Sequence, residues 1–245
     1  MNLFTSIKRQ IPNCITLCNL LSGVLAVYAA VRGDIVVAAE FILLGIFFDF
    51  FDGLFARLLH VASPVGKELD SLADVVTSGV APGFILFKIL EEIQSDLLYI
   101  QYAAFLIPVF AAYRLAKFNL DERQHHGAFL GLPAPANALI WVGMAFFWAY
   151  GNESQICEIS QSTGWLIGLA VVSLCTDVLM VGEMPMFSLK FNFKELSWKN
   201  NWVRYVFLAG CAVLLIILPL LSLTLIILWY IILSMLTQKK EETHD

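Results

Sequence analysis

Apolar residues in this chain fall in long blocks, not in the alternating or single-face patterns of a water-soluble fold. Residues 14–31, 35–48, 98–118 and 205–237 carry few charges. Runs of about 18 or more apolar residues have the length of a membrane-spanning helix. A coarse reading predicts eight helices, at 14–32, 34–59, 67–93, 98–118, 132–150, 162–181, 201–219 and 220–238. Residues 203–237 as one helix, at about 1.5 Å per residue, would far exceed a bilayer. Pro219 and Ser222 predict a turn that divides them. Before the first block, MNLFTSIKRQIP sets Leu3, Phe4 and Ile7 on one side with Lys8 and Arg9 beyond, which predicts a short helix lying in the membrane interface. The apolar stretch that follows has no small-residue cleavage site and reads as a retained first span.

Composition sharpens this picture. Hydrophobic residues make up 59% of the 245 and charged residues 14%, with a mean hydropathy of +0.78. Soluble domains carry about 45–50% apolar and about 25% charged residues. The expectation is an all-α, polytopic transmembrane helical bundle; a β-barrel, a disordered chain and a disulfide-rich secreted domain are excluded. The five cysteines are scattered, without CxxC or metal-ligand spacing, and read as small apolar residues of the spans. The net charge of −5 becomes informative once lysine and arginine are sorted by side. With eight spans, 13 of the 15 fall on the side of both termini, and only Arg32 and Lys88 on the other. Both termini are therefore expected in the cytoplasm, as for a protein of the cell or inner membrane. No basic block suggests nucleic acid.

The informative polar residues are aspartates. One Asp at a helix centre costs about 2.5–3.5 kcal/mol on translocon scales, so intramembrane carboxylates are functional candidates by default. Asp49 and Asp52 end the second predicted span, and Asp70 and Asp74 begin the third. Asp49, Asp52, Gly53 and Ala56 share one helical stripe, and Asp70 and Asp74, at i and i+4, form another. A short turn over 60–65 makes the two helices antiparallel neighbours, with both stripes at one cytoplasmic depth. Four facing carboxylates need positive charge between them. Oxygen-only ligands suit Mg²⁺ or Mn²⁺, two ions for four carboxylates, and not a thiolate zinc site. Gly53 and Ala56 leave a slot against the backbone, and Arg57 adds a cation shaped for phosphate. The alternative, that these aspartates only cap helices at the interface, does not explain the small-residue slot or Arg57.

The stretch Asp49-Phe50-Phe51-Asp52-Gly53-Leu54-Phe55-Ala56-Arg57, then eight residues, then Gly66-x3-Asp70-x3-Asp74, resembles the signature of the CDP-alcohol phosphotransferase family at every defining position. The resemblance implies the CDP-alcohol phosphotransferase fold, a CDP-linked lipid donor, two divalent metals and a homodimer. It implies metal ligation by Asp49, Asp52, Asp70 and Asp74, with Asp74 also the general base. Gly53, Ala56, Arg57 and Gly66 would form the CDP-binding segment. The flanks IPNCITLCN (11–19), ELDSLADVVTSGVAP (68–82), YRLAKFN (113–119) and FLGLPAPANA (129–138) resemble the branch that transfers a phosphatidyl group from CDP-diacylglycerol to L-serine. On that footing residues 1–150 are the catalytic core, and 151–245 add further spans to the same membrane domain.

Other polar positions remain open between two roles. Asn13, Thr16 and Asn19 recur every three residues in the first span; they could hydrogen-bond the nucleotide or join neighbouring helices. Pro133 and Pro135 mark a helix start or shape an acceptor pocket. A serine carboxylate needs a cation, for which Arg114, Lys117 and Lys67 are candidates, Arg114 first because it sits deepest in an apolar run. The competing role for all three is anchorage to lipid headgroups. Two rival functions stand beside serine transfer. One is the same chemistry on a glycerol-phosphate, inositol-phosphate or archaeal lipid acceptor. The other is a cation transporter, disfavoured because the acidic residues have no matching set in a second repeat.

Overall fold

A computed structural model describes residues 3–61, 63–97, 99–120, 129–186 and 198–241. Arg123, Lys190 and Lys194 of the charge tally, and the tail 242–245, lie outside the described residues. The chain begins with α1 (Leu3–Val31), and a turn at Gly33, φ +89°, reverses it into α2 (Ile35–Leu58). The interfacial helix expected before Pro12 is not a separate element: α1 runs through Pro12 without a break. Pro12 is the tenth residue of α1, where it removes the amide that would pair with the Lys8 carbonyl, yet the helix continues past it.

α3 (Pro64–Asp74) starts where sequence chemistry says a helix should. Ser63 accepts a hydrogen bond from the Gly66 amide at 3.0 Å, and Pro64 occupies the first helical position. The rod continues through a π-helical stretch, Val75–Val80, into α4 (Ala81–Glu92). A 3₁₀ segment, Ile100–Phe105, leads into α5 (Leu106–Leu120). α6 (Ala134–Tyr150) begins just after Pro133, so the paired prolines mark a helix start. The connection after residue 150 contains a short helix, α7 (Glu153–Ser160), before α8 (Thr163–Val181). α9 (Trp198–Ile217) and α10 (Ser222–Glu241) are separate helices, divided at Pro219, whose carbonyl accepts from the Ser222 hydroxyl at 2.7 Å.

Among the described residues one small β-ladder interrupts the helices: β1 (Phe129–Leu130) pairs antiparallel with β2 (Pro185–Met186). Gly131 follows β1 with φ +74°, and a Cβ there would stand 2.7 Å from the Gly182 carbonyl oxygen. Only glycine meets both conditions, the backbone angle and the close approach. The Gly131 amide then donates to Met184 and the Leu132 amide to Leu179, tying the start of α6 to the end of α8.

The main core lies among α1, α2, α4 and α6, where Ala38, Ile42, Ile85, Leu86, Ile89 and Trp141 are fully buried. Four helical segments are long and apolar enough to cross a membrane: Gln10–Val31, Pro64–Glu92, Ile100–Leu120 and Thr163–Val181. Shorter apolar helices cover Ala134–Tyr150, Trp202–Ile217 and Ser222–Thr237. α2 matches the long ones in length but carries Glu40, Asp49, Asp52 and Arg57. Tyr28, Phe50 and Ile216 face outward, the apolar exterior that lipid contact requires.

Candidate active site

The site forms where α2 ends and α3 begins. One carboxylate oxygen each from Asp49, Asp70 and Asp74 lies within 4.8 Å of the others. The two predicted stripes therefore do face one another at one depth. At an effective dielectric of about 20, each ionised pair at such a distance repels by roughly 3–4 kcal/mol. Such a cluster forms stably around a cation or with protons shared among its members. One Asp70 oxygen is buried with no hydrogen-bond partner. Three convergent hard oxygens, with an unsatisfied Asp70 oxygen in the same cluster, fit a divalent cation of the magnesium or manganese type.

Asp52 plays a different part. It is buried and accepts a 2.6 Å hydrogen bond from the Thr16 hydroxyl of α1. It lies outside the close group of three and lines a cleft of about 200 Å³. Asn13 and Thr16 line one wall of that cleft, Gly53 and Ala56 another, and Gly66, Lys67 and Asp70 a third. The expected slot is present: at Gly53 an added Cβ would meet nothing nearer than the Arg57 guanidinium, at 3.9 Å. Gly66 is the tighter position, where a Cβ would stand 3.1 Å from the Asn13 side chain.

Two candidates stand elsewhere. Asn19 is fully buried and does not line the cleft; its amide donates to Asp74 at 3.2 Å. Its backbone carbonyl accepts from the Thr77 hydroxyl at 3.1 Å. Asn19 thus holds Asp74 and the π-helical stretch after it, as a contact between helices. Arg57 is turned back on its own helix, donating to the Gly53 carbonyl at 2.9 Å.

The π-helical stretch sits in a groove of small residues. A Cβ on Gly23 would come within 3.0 Å of the Thr77 backbone, and one on Gly45 within 2.9 Å of the Asn19 amide oxygen. On the far side Gly79 faces Ala111 and Pro108 of α5. Asp74 is fixed at the head of this stretch by packing from three helices. Extra backbone turns of this kind recur at functional sites because they re-aim a side chain without ending the helix.

The three cationic candidates separate. Lys67 borders the cleft and donates to the Asn119 carbonyl at 3.1 Å. Lys117 binds Glu183 at 3.1 Å and the Val181 carbonyl at 3.3 Å, fastening α5 to the end of α8. Arg114 is 9% exposed, stacks over Phe118 at 5.6 Å, and has a buried Nε without a partner. Its charge interacts with that of Asp74.

Two polar residues escaped the sequence reading. Asp177, fully buried in α8, accepts from Asn137 of α6 at 3.4 Å. It was visible as an isolated aspartate in an apolar run, the signal that singled out the other four. Glu183 carried no such signal, since it sits just beyond a helix end where charges are ordinary.

Comparison with known proteins agrees with the geometry. A family model described as CDP-alcohol phosphatidyltransferase matches residues 9–176, running past the boundary expected at 150. A protein of Bacillus subtilis named CDP-diacylglycerol–serine O-phosphatidyltransferase is 36% identical over 136 residues, 56% of this chain and 75% of the relative. A protein of the same name from Methanocaldococcus jannaschii is 28% identical over 221 residues, 90% of both chains. Another from Saccharomyces cerevisiae is 41% identical over 114 residues, 43% of this chain and 40% of the relative. The long apolar helices make the protein an integral membrane protein. With the family model covering more than half of its length, the chain belongs to the CDP-alcohol phosphatidyltransferase family.

Proposed function

We propose that the protein transfers the phosphatidyl group of CDP-diacylglycerol to the hydroxyl of L-serine, releasing phosphatidylserine and CMP. The observation that carries this reading is the meeting of Asp49, Asp70 and Asp74 beside a small-residue cleft, with the charge of the buried Arg114 acting on Asp74. The printed names of the relatives support serine as acceptor.

In this mechanism the cleft between Gly53, Ala56 and Gly66 receives the CDP moiety. Asp49, Asp70 and Asp74 would hold a divalent cation, Mg²⁺ or Mn²⁺, with Asp52 completing the set for a second. Such ions would supply positive charge against the pyrophosphate and the departing CMP. Asp74 accepts the proton of the serine hydroxyl, whose oxygen bonds to the phosphorus bearing diacylglycerol. The bond from that phosphorus to the CMP oxygen breaks. Asn19 keeps Asp74 aimed at the hydroxyl, and Arg114 receives the serine carboxylate. Thr16 holds Asp52 by its short hydrogen bond.

The proposal extends to the membrane: eight crossings, both termini and the active site on the cytoplasmic side, and pairing of two chains as a homodimer. Its support is the 13-to-2 distribution of lysine and arginine and the family's habit. An acceptor panel tests the function. Purified protein given CDP-diacylglycerol should release CMP with L-serine and not with glycerol 3-phosphate or inositol 1-phosphate. Release with a polyol phosphate alone would reassign the acceptor, and no release with any acceptor would favour a transporter.

A further inference from the structure

We propose that Lys67 is the cation of the cleft that binds the donor's diphosphate, and not the partner of the serine carboxylate. The proposal rests on the CDP-diacylglycerol reading above and deepens it, naming the side chain that recognises the donor's charge.

The make-up of the cleft wall points to this residue. A CDP moiety brings two anionic phosphates, and the charged side chains that line the cleft are Asp52, Asp70 and Lys67. Among the described residues Lys67 is the one cation on that wall. Arg57, the fork expected to meet phosphate, is held on the Gly53 carbonyl at 2.9 Å and does not line the cleft. Arg114 does not line it either, so donor and acceptor anions have separate cations. The cleft has the room: about 200 Å³, far above the roughly 10–15 Å³ that a single water needs.

Placement and bonding capacity agree with the role. Lys67 stands in the first turn of α3, an 11-residue helix whose start carries the positive end of its dipole. Lys67 and Asp70, at i and i+3, share a face of that helix, which sets the ammonium beside the metal-binding carboxylates. An ammonium group has three donors, and the Asn119 carbonyl takes one of them at 3.1 Å. Asn119 also steadies the lysine's backbone: its amide donates to the Ser71 hydroxyl at 2.9 Å, which donates to the Lys67 carbonyl at 3.2 Å. Two ammonium donors are left for a ligand, on a residue braced against the end of α5. Preorganisation of this kind lowers the cost of ordering a long side chain on binding.

Binding of labelled CDP to the full-length protein, in detergent with Mg²⁺, tests the assignment without any acceptor. Lys67→Gln removes the charge but keeps an N–H donor for the Asn119 carbonyl. It should weaken CDP by roughly tenfold or more, the worth of a charge-assisted hydrogen bond. Lys67→Arg should recover most of that loss. Added salt should weaken CDP less in Lys67→Gln than in wild type, because one screened contact is gone. In the full reaction Lys67→Gln should raise the KM for CDP-diacylglycerol and leave that for L-serine unchanged. Wild-type CDP affinity in Lys67→Gln would reduce Lys67 to a latch on Asn119 and overturn the proposal. So would a rise in the serine KM alone, which would return the residue to the acceptor. Equal losses in Lys67→Gln and Lys67→Arg, with a lowered unfolding midpoint in both, would mark a packing role and overturn it as well. If the wild-type protein itself bound no CDP, the donor reading would fail, an outcome distinct from these.

Discussion

At the scale of single residues, the account turns on what Asp74 touches. Asp74 is held by Asn19, faces Asp49 and Asp70, and feels the charge of Arg114. Asp74→Asn keeps its shape but removes the proton acceptor and one metal ligand. Turnover should fall by about 10²-fold or more, since loss of a positioned base alone costs about 10²–10⁴. Retention of a tenth of wild-type turnover would mean that another group takes the proton. Arg114→Ala should raise the serine KM about 10- to 150-fold, with little effect on the lipid substrate. Arg114→Lys should restore part of that loss, because a point charge cannot reproduce the guanidinium fork. Steady-state kinetics with each substrate varied in turn would separate this from a membrane anchor, whose loss leaves both KM values alone. The aspartates were legible in the sequence because their spacing alone fixes them on two faces of a helical hairpin. The roles of Asn19 and Lys117 were not. Each depends on a partner 55 or 66 positions away, and no local pattern encodes such a contact.

At the scale of elements, the π-helical stretch and the glycines around it set the aim of the catalytic carboxylate. Helical periodicity predicted one long rod over 67–93, and a rod is present, beginning at Pro64. The π-helical stretch inside it was invisible, because one extra residue per turn hardly changes an apolar pattern that lacks a polar face. Gly45→Ala would drive a methyl group against Asn19 and Thr77, while Gly168→Ala in α8 meets nothing within 4 Å. Overpacking of this kind costs about 1–3 kcal/mol. Gly45→Ala should therefore lower the unfolding midpoint in detergent and reduce kcat as Asp74 shifts, whereas Gly168→Ala should do neither. Thermal denaturation alongside CMP release would check both halves. The same limit of pattern reading applies at the N-terminus, where Lys8 and Arg9 suggested a separate interfacial helix and the backbone instead continues through Pro12.

At the scale of the whole molecule, the chemistry needs a membrane-embedded bundle whose polar centre opens at one end. The four long apolar helices and the outward-facing Tyr28, Phe50 and Ile216 supply the lipid-facing part. The acidic cluster supplies the polar centre, and its oxygen-only ligand set predicts the metal behaviour. Excess EDTA should stop CMP release, and Mg²⁺ or Mn²⁺ should restore it where Zn²⁺ does not. Full activity in the chelator would remove the metal from the mechanism. The most direct test of the central claim follows labelled L-serine into lipid in the presence of CDP-diacylglycerol and Mg²⁺, with CMP counted in the same reaction. The account predicts one phosphatidylserine formed for each CMP released by the wild-type protein, and neither product from Asp74→Asn. CMP release without serine entering lipid, or equal yields from Asp74→Asn, would contradict it.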